Sequence, residues 1–357
     1  MIYLDYQATT PLAPEAREAM LRWLGEDGFA NPHSPHRPGR AAAAAVEVAR
    51  EQVTALLPAG GRVVFTSGAT EALNLAILGS GAKRLAVSAI EHAAVLDTAR
   101  FADPDCAVLP VDAAGLVAAG TPIPDGSQLV AVMQVNNEIG TIQPVEALAD
   151  AAHAAGALFL CDAVQAAGKL APPANADMIA ISAHKLHGPK GIGALWVRDG
   201  LALAPLIHGG GQEQGLRSGT LSPALCAGFG GAAALCTSLR ATDAQHVESL
   251  WTKARALFAD WTLNGDSDAR WHGNLNIRRE GLDVARLMSD CRTLAFSAGS
   301  ACASGSGRPS HVLRALGLSD RDAKSAIRLG FGRTTRAEDL ELAAAAIHAA
   351  VEAQGAI

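Results

Sequence analysis

Short, unbroken apolar runs alternate along this chain with longer stretches in which apolar residues recur at helical spacing. The runs at residues 62–65, 84–90, 129–135, 157–161, 177–181 and 192–197 read as buried strands. Between them, residues 40–57, 71–78 and 145–155 carry helical patterns, the last stopping at Gly156, a residue suited to a helix C-cap. This alternation predicts an α/β domain on a mostly parallel sheet, with ligands bound beyond the carboxyl ends of its strands. The pattern changes near residue 240. Residues 245–261 read as a helix, 275–277 and 293–296 as shorter strands, and 310–316 and 337–353 as two further helices. That is the signature of a second, smaller α+β domain. The alanine run 41–45 belongs to a helix rather than to a low-complexity tract.

With 357 residues, 49% of them hydrophobic, the chain can bury a large core or two cores. Aromatics make up only 4%, so the helices are expected to pack through alanine and other small residues. A net charge of −6 without a basic stripe argues against a nucleic-acid binder. No apolar run approaches the roughly 20 residues of a membrane span. The opening Met1-Ile2-Tyr3-Leu4-Asp5 lacks the basic segment of a signal peptide. A cytoplasmic protein is expected, without a membrane partner. None of the six cysteines is paired at C-x-x-C spacing, which disfavours a zinc site. Cys161, Cys226 and Cys236 follow leucines and read as small buried hydrophobes. Cys302 differs. It sits among small residues, Gly299-Ser300-Ala301-Cys302-Ala303-Ser304-Gly305, where a thiol is expected to be accessible, although an incidental cysteine in a linker explains the composition equally well.

Several segments bear chemistry. Ser182-Ala183-His184-Lys185-Leu186-His187-Gly188-Pro189 places an amine between an apolar run and a glycine-proline turn. Partial desolvation there favours a nucleophilic lysine of the kind that forms a Schiff base with pyridoxal phosphate (PLP), although an ordinary surface lysine fits the segment alone. Ser67-Gly68-Ala69-Thr70-Glu71 follows a strand and opens a helix, so its backbone N–H groups and Thr70 can cradle a phosphate or simply cap the helix. Asp162 ends a buried strand and needs a cationic partner, which a protonated pyridine nitrogen would provide, with Gln165 three residues on able to reach the same ring. A helix cap explains Asp162 as well. His92 and Asn137 each follow a strand, where the first can stack on a flat ring and move protons and the second can bond a ring oxygen or a carboxylate. The polar, glycine-rich stretch 209–220 can contact phosphate. Arg328, in an apolar setting, is either a clamp for an α-carboxylate or half of a structural ion pair.

Taken in order, from Tyr3-Leu4-Asp5-Tyr6-Gln7-Ala8-Thr9-Thr10-Pro11 to Ile327-Arg328 and Gly332-Arg333, these segments resemble the cysteine desulfurases, the NifS/IscS-type enzymes of the class V aminotransferase group. Each motif is weak, but their ordered combination is specific and covers nearly the whole chain. The resemblance implies PLP fold type I. It places a large PLP-binding domain at 15–240 with a mostly parallel central sheet, and a smaller α+β domain formed by 1–14 with 241–357. It also implies a homodimer with each active site at the subunit interface. By the same likeness, Lys185 is the Schiff-base lysine, and Ala69, Thr70, Ser182 and His184 occupy phosphate-side positions. Thr220 occupies a position that contacts the phosphate from the other subunit. His92 stacks on the pyridine, Asp162 pairs with its nitrogen, and Gln165 pairs with its hydroxyl. Asn137 and Arg328 hold cofactor and substrate carboxylate. Cys302 is the catalytic cysteine and can transiently ligate an iron–sulfur cluster, no resident metal being expected. Ala30-Asn31-Pro32-His33-Ser34 replaces the family's more usual Gly-Asn-Pro-Ser-Ser. The long C-terminal tail with which some members dock a scaffold is missing, which bears on that partner and not on the chemistry.

The implied reaction takes sulfur from L-cysteine, giving L-alanine and a persulfide on Cys302 for delivery to an acceptor protein, in iron–sulfur cluster assembly or a related pathway. Lys185 removes the Cα proton and His92 is a candidate proton acceptor. A selenocysteine lyase or another enzyme of the same fold is the alternative, and a non-catalytic sulfur-carrier subunit a more distant one. The sequence names neither the acceptor nor the preference for sulfur over selenium.

Overall fold

A computed structural model describes residues 1–25, 28–299 and 309–355, so Cys302 lies outside the described residues. The chain begins with strand β1 (Ile2–Tyr3) and helices α1 (Pro14–Leu21) and α2 (Arg37–Thr54). A seven-stranded sheet follows. Its strands are β2 (Gly61–Thr66), β3 (Leu85–Ser88), β4 (Ala107–Leu109), β5 (Leu129–Ala131), β6 (Leu158–Asp162), β7 (Met178–Ser182) and β8 (Gly193–Arg198). Across the sheet they run β2-β8-β7-β6-β5-β3-β4. All pairings from β7 to β4 are parallel, and β8 runs against both of its neighbours.

Successive strand residues enter two different cores. Val63, Phe65, Phe159 and Ile181 pack on one face beneath α2, α5 (Val145–Ala154) and α6 (Pro223–Leu257). Val64, Leu160, Met178 and Val197 pack on the other beneath α3 (Ala69–Gly79) and α4 (Ala93–Ala102). A sheet covered on both faces requires apolar residues at every position, which is why the sequence shows unbroken runs rather than alternation.

Helix α6 is much longer than the 245–261 expected from periodicity, at 35 residues. Its first half contains Gly228, Gly230 and Gly231, which weaken a helix by propensity. Packing overrides that weakness. A Cβ at 230 would meet Gln52 Oε1 at 2.3 Å and Ala49 Cα at 2.7 Å, and one at 228 would meet Met20 Cγ at 2.5 Å. These glycines therefore let α6 lie close against α1 and α2. By length and composition it is also the one helix among the described residues that could cross a membrane, a point the run-length reading did not foresee; its small residues are packed in the core.

The second half of α6, with Leu250, Trp251 and Ala254, faces a separate core. Strands β9 (Thr262–Leu263), β10 (Asn274–Arg278), β12 (Ser297–Ala298) and β13 (Ala326–Gly330) form its antiparallel sheet in the order β12-β13-β10-β9. The stretch expected as one strand at 293–296 is divided, because β11 (Leu294–Ala295) leaves this sheet to pair in parallel with β1. Helices α7 (Val284–Asp290) and α10 (Ala337–Gly355) cover the core, with the short α8 (His311–Ala315) and α9 (Asp320–Lys324) between them in sequence. The first residues are sewn into this later part of the chain. Asp5 bridges Gly330, Gln7 Nε2 donates to the Gly273 carbonyl at 2.8 Å, and the Tyr6 hydroxyl bonds Thr334 Oγ1 at 2.5 Å.

Candidate active site

Strand register brings chemistry to one edge of the large sheet. Thr66 and Ser182 both lie opposite Gly193, and Asp162 ends β6 beside Ala180. A cavity of about 540 Å³ opens there, at the carboxyl ends of β2, β6 and β7. Ala69, Thr70, His92, Asn137, Asp162, Gln165, Ser182, His184, Lys185 and Arg328 all line it. Thr220 is exposed, just ahead of α6, and is not among its walls.

At one end of the cavity α3 begins with no side-chain cap, so the N–H groups of its first turn point outward unsatisfied by the helix itself. Gly193 permits this arrangement, since a Cβ there would lie 2.7 Å from the Gly68 carbonyl carbon and from the Ile181 oxygen. Ser182 and His184 stand on the same side. Burial, with Lys185 and Lys190 nearby, lowers the His184 imidazole to about 4, so it is neutral at pH 7. Lys185 follows in a 3-10 turn, and its Nζ donates to the carbonyls of Gln7 at 2.5 Å and Ala8 at 2.8 Å. Thr10 bonds the His184 carbonyl through both its N–H at 2.9 Å and its Oγ1 at 3.0 Å. Gln7 and Ala8 thus form one wall, held in place by Thr10.

At the centre, Asp162 accepts the Val164 N–H at 2.9 Å. Burial raises its pKa, while His92 and Lys185 pull it back down. Gln165 donates from Nε2 to the Gln7 carbonyl at 3.0 Å, which leaves its buried Oε1 without a partner. His92 caps α4 by accepting the Ala94 N–H at Nδ1, 3.1 Å away. The neutral ring therefore carries its hydrogen on Nε2, which donates rather than accepts.

At the far end, Arg328 reaches in from β13, wholly buried. Its Nη1 donates to the Asn137 carbonyl at 2.8 Å and its Nη2 to Asp5 Oδ1 at 2.7 Å, while Nε is buried and unpartnered. Sequence reasoning proposed the arginine but not Asp5 as the group that orients it; the only signal was the position of Asp5 inside the opening motif. It also missed two buried acids beside the site. Burial raises Glu91 to about 8 and Glu138 to about 7. Glu138 takes the Ser310 hydroxyl at 2.5 Å, and Glu91 takes the Ser88 hydroxyl at 2.5 Å and the Met133 N–H at 2.8 Å.

PLP presents a phosphate dianion, an aldehyde, a pyridine nitrogen that takes a proton, and a ring hydroxyl. The cavity matches these in turn with an uncapped helix start, a lysine amine, a buried carboxylate, and an orphaned amide oxygen on Gln165. The residues fit the group.

Comparison with known proteins agrees. The family model described as Aminotransferase class-V matches residues 2–342. A protein of Vibrio vulnificus (strain CMCP6) named Cysteine desulfurase IscS is 42% identical over 98% of this chain and 93% of its own length. Its namesake from Rickettsia akari (strain Hartford) is 41% identical over 96% and 89%. Among solved structures, a NifS-like protein from Rickettsia africae ESF-5 superposes with a TM-score of 0.90 at 28% identity, covering 99% of both chains. One titled SspA in complex with cysteine superposes with a TM-score of 0.81 at 35% identity, covering 93% of this chain and 99% of its own. The chain belongs to the class-V aminotransferase family, and within it to the cysteine desulfurases.

Proposed function

We infer that the cavity at the carboxyl ends of β2, β6 and β7 is the site of a PLP-dependent cysteine desulfurase. The observation that carries this reading is the meeting of Lys185 with the buried carboxylate of Asp162 and the partnerless Oε1 of Gln165 in one cavity. In this reading Ala69, Thr70, Ser182 and His184 hold the phosphate. Asp162 holds the pyridinium, Gln165 the ring hydroxyl, and His92 lies against the ring. Asn137 and Arg328 orient the substrate through its carboxylate. When bound, PLP supplies a sink for the electron pair left at Cα. Lys185 Nζ removes the Cα proton. His92, with Nε2–H as its donor, is the second proton carrier.

Cys302 is the sulfur acceptor of this reading. Its sulfur bonds the substrate sulfur as the substrate's carbon–sulfur bond breaks, so that cysteine plus thiol becomes alanine plus persulfide. Support comes from the five other cysteines. Burial raises the thiol pKa of each, with Cys106 near 11 and Cys226 near 12, and none lines the cavity. Such thiols stay protonated at neutral pH and are poor nucleophiles. An acceptor protein then takes the sulfur for iron–sulfur cluster assembly or a related route, a reading supported by the IscS name of the relatives. The exposed Thr220 suits a homodimer in which it serves the partner's phosphate, and a cytoplasmic setting suits reduced thiols. The large unit at 15–240 and the small one at 1–14 with 241–357 share α6, which runs through the boundary.

The test is incubation with L-cysteine and assay of alanine and sulfide, with Cys302→Ala alongside. The parent should form alanine and persulfide and the variant neither. Sulfide release by Cys302→Ala at the parent rate would sink the assignment.

A further inference from the structure

The uncapped start of α3 carries a liability that its own sequence creates. Glu71 sits in the first turn and lines the cavity at the end assigned to phosphate. Its Oε2 takes the Ser67 N–H at 2.6 Å, which holds the strand-to-helix turn in shape. That contact brings a carboxylate to the place where a phosphate dianion must sit. Left alone, it would repel the ligand.

Arg217 answers it from a distant part of the chain. Its Nε reaches Glu71 Oε1 at 2.7 Å and its Nη2 reaches Oε2 at 3.2 Å, the two-pronged contact a guanidinium makes with a carboxylate. Both side chains are mostly buried, at 18% and 16% exposure, which limits screening by solvent. The backbone around Arg217 is built for this reach. Gly219 has φ +121, where a side chain is strained, and a Cβ there would stand 3.1 Å from Arg217 Nη1. On the other side, Glu213 and Gln214 adopt left-handed φ values of 50 and 56. Glu213 is fixed there by Arg50, at 2.7 Å to each carboxylate oxygen, and by the Phe65 N–H at 2.7 Å. The segment is thus anchored at Glu213 and again at Arg217, three residues before Thr220.

We propose that Arg217 is a positioning residue for the phosphate of the cofactor: it neutralises the Glu71 carboxylate at the helix start and straps the 209–220 segment onto the phosphate cradle. This rests on the PLP reading above, and the experiment separates the two. Apo protein is titrated with PLP and, separately, with pyridoxal, which lacks the phosphate, and binding is followed by absorbance. Arg217→Gln should weaken PLP by roughly tenfold or more, the loss expected of a shielded charge-assisted pair, while changing pyridoxal by less than about twofold. Glu71→Gln combined with Arg217→Gln should recover most of the PLP affinity, because the repelling charge is gone. Arg217→Lys, which keeps the charge but not the fork, should fall between parent and Arg217→Gln. Equal losses for both ligands, or a double variant no better than Arg217→Gln, would reduce Arg217 to a structural role and overturn the proposal. A parent protein that binds no PLP would remove the cofactor reading, and the strap with it.

Discussion

At the scale of single residues, Asp162 shows how one position serves the ligand at the expense of the fold. Burial already disfavours its charged form. Asp162→Asn should therefore leave the melting temperature of the apo protein no lower than the parent's. Alanine formation, by contrast, should fall on the order of a hundredfold or more, because the charge placed for the ring nitrogen is gone. Alanine release measured beside a thermal melt checks both halves, and an asparagine variant at the parent rate would deny Asp162 its role. Residues of this kind were legible in the sequence because their signal is local: a carboxylate at the end of an apolar run, or a lysine before a glycine-proline turn. Groups whose meaning lies in a distant partner were not legible. Arg217 and Glu71 stand 146 positions apart, and Asp5 and Arg328 stand 323 apart. No periodicity or spacing rule joins such pairs.

At the scale of elements, hydrophobic pattern located six of the seven strands of the large sheet, overran the end of β5 by four residues, missed the three-residue edge strand β4, and failed where packing overrules propensity. The glycines of α6 weaken a helix by propensity and act here as contact points, so periodicity reached only the second half of that helix. Turn chemistry was equally opaque in the 209–220 segment, where two consecutive non-glycine residues take left-handed backbone. Only one of the two is compensated. Glu213 gains Arg50 and the Phe65 amide, whereas the side chain of Gln214 is exposed. Gln214→Gly should raise stability by about 0.5 to 1 kcal/mol, the relief of left-handed strain less glycine's entropy in the unfolded chain. Denaturant midpoints measure it. A lower midpoint for the variant would show that the Gln214 side chain contributes more than its exposure suggests.

At the scale of the whole molecule, Glu91 ties several parts together and makes stability depend on pH. Its carboxyl meets Ser88 of β3 and the Met133 amide, and its carbonyl accepts from His311 of α8 at 3.0 Å. Its folded value of about 8 lies above the ordinary 4.5, so the folded state holds a proton that the unfolded state gives up. The stability owed to the neutral carboxyl is complete below about 4.5 and is lost as pH rises through about 8. Glu91→Gln keeps the neutral shape and should gain on the parent across that window, by up to about 1.4 kcal/mol per pH unit. Melting temperatures near pH 5.5 and near pH 8 should show the gap widening, and a constant gap would mean that Glu91 is not held neutral. The α/β class was visible from the pattern of runs, whereas the joining of the chain's two extremes was implied by the family resemblance alone, since it depends on strands only two residues long. That junction sets an order of assembly. Ile2 and Tyr3 find their strand partners only at Leu294 and Ala295, and Asp5 only at Gly330. On a ribosome adding roughly 5 to 20 residues per second, the opening segment waits for tens of seconds while the central sheet is made. The carbonyls of Gln7 and Ala8 lie between that late junction and the earlier contacts of Thr10 and Ala13 with residues 184–187, so the wall that meets Lys185 is held at one end from mid-synthesis and gains its second anchor only when the chain is nearly finished.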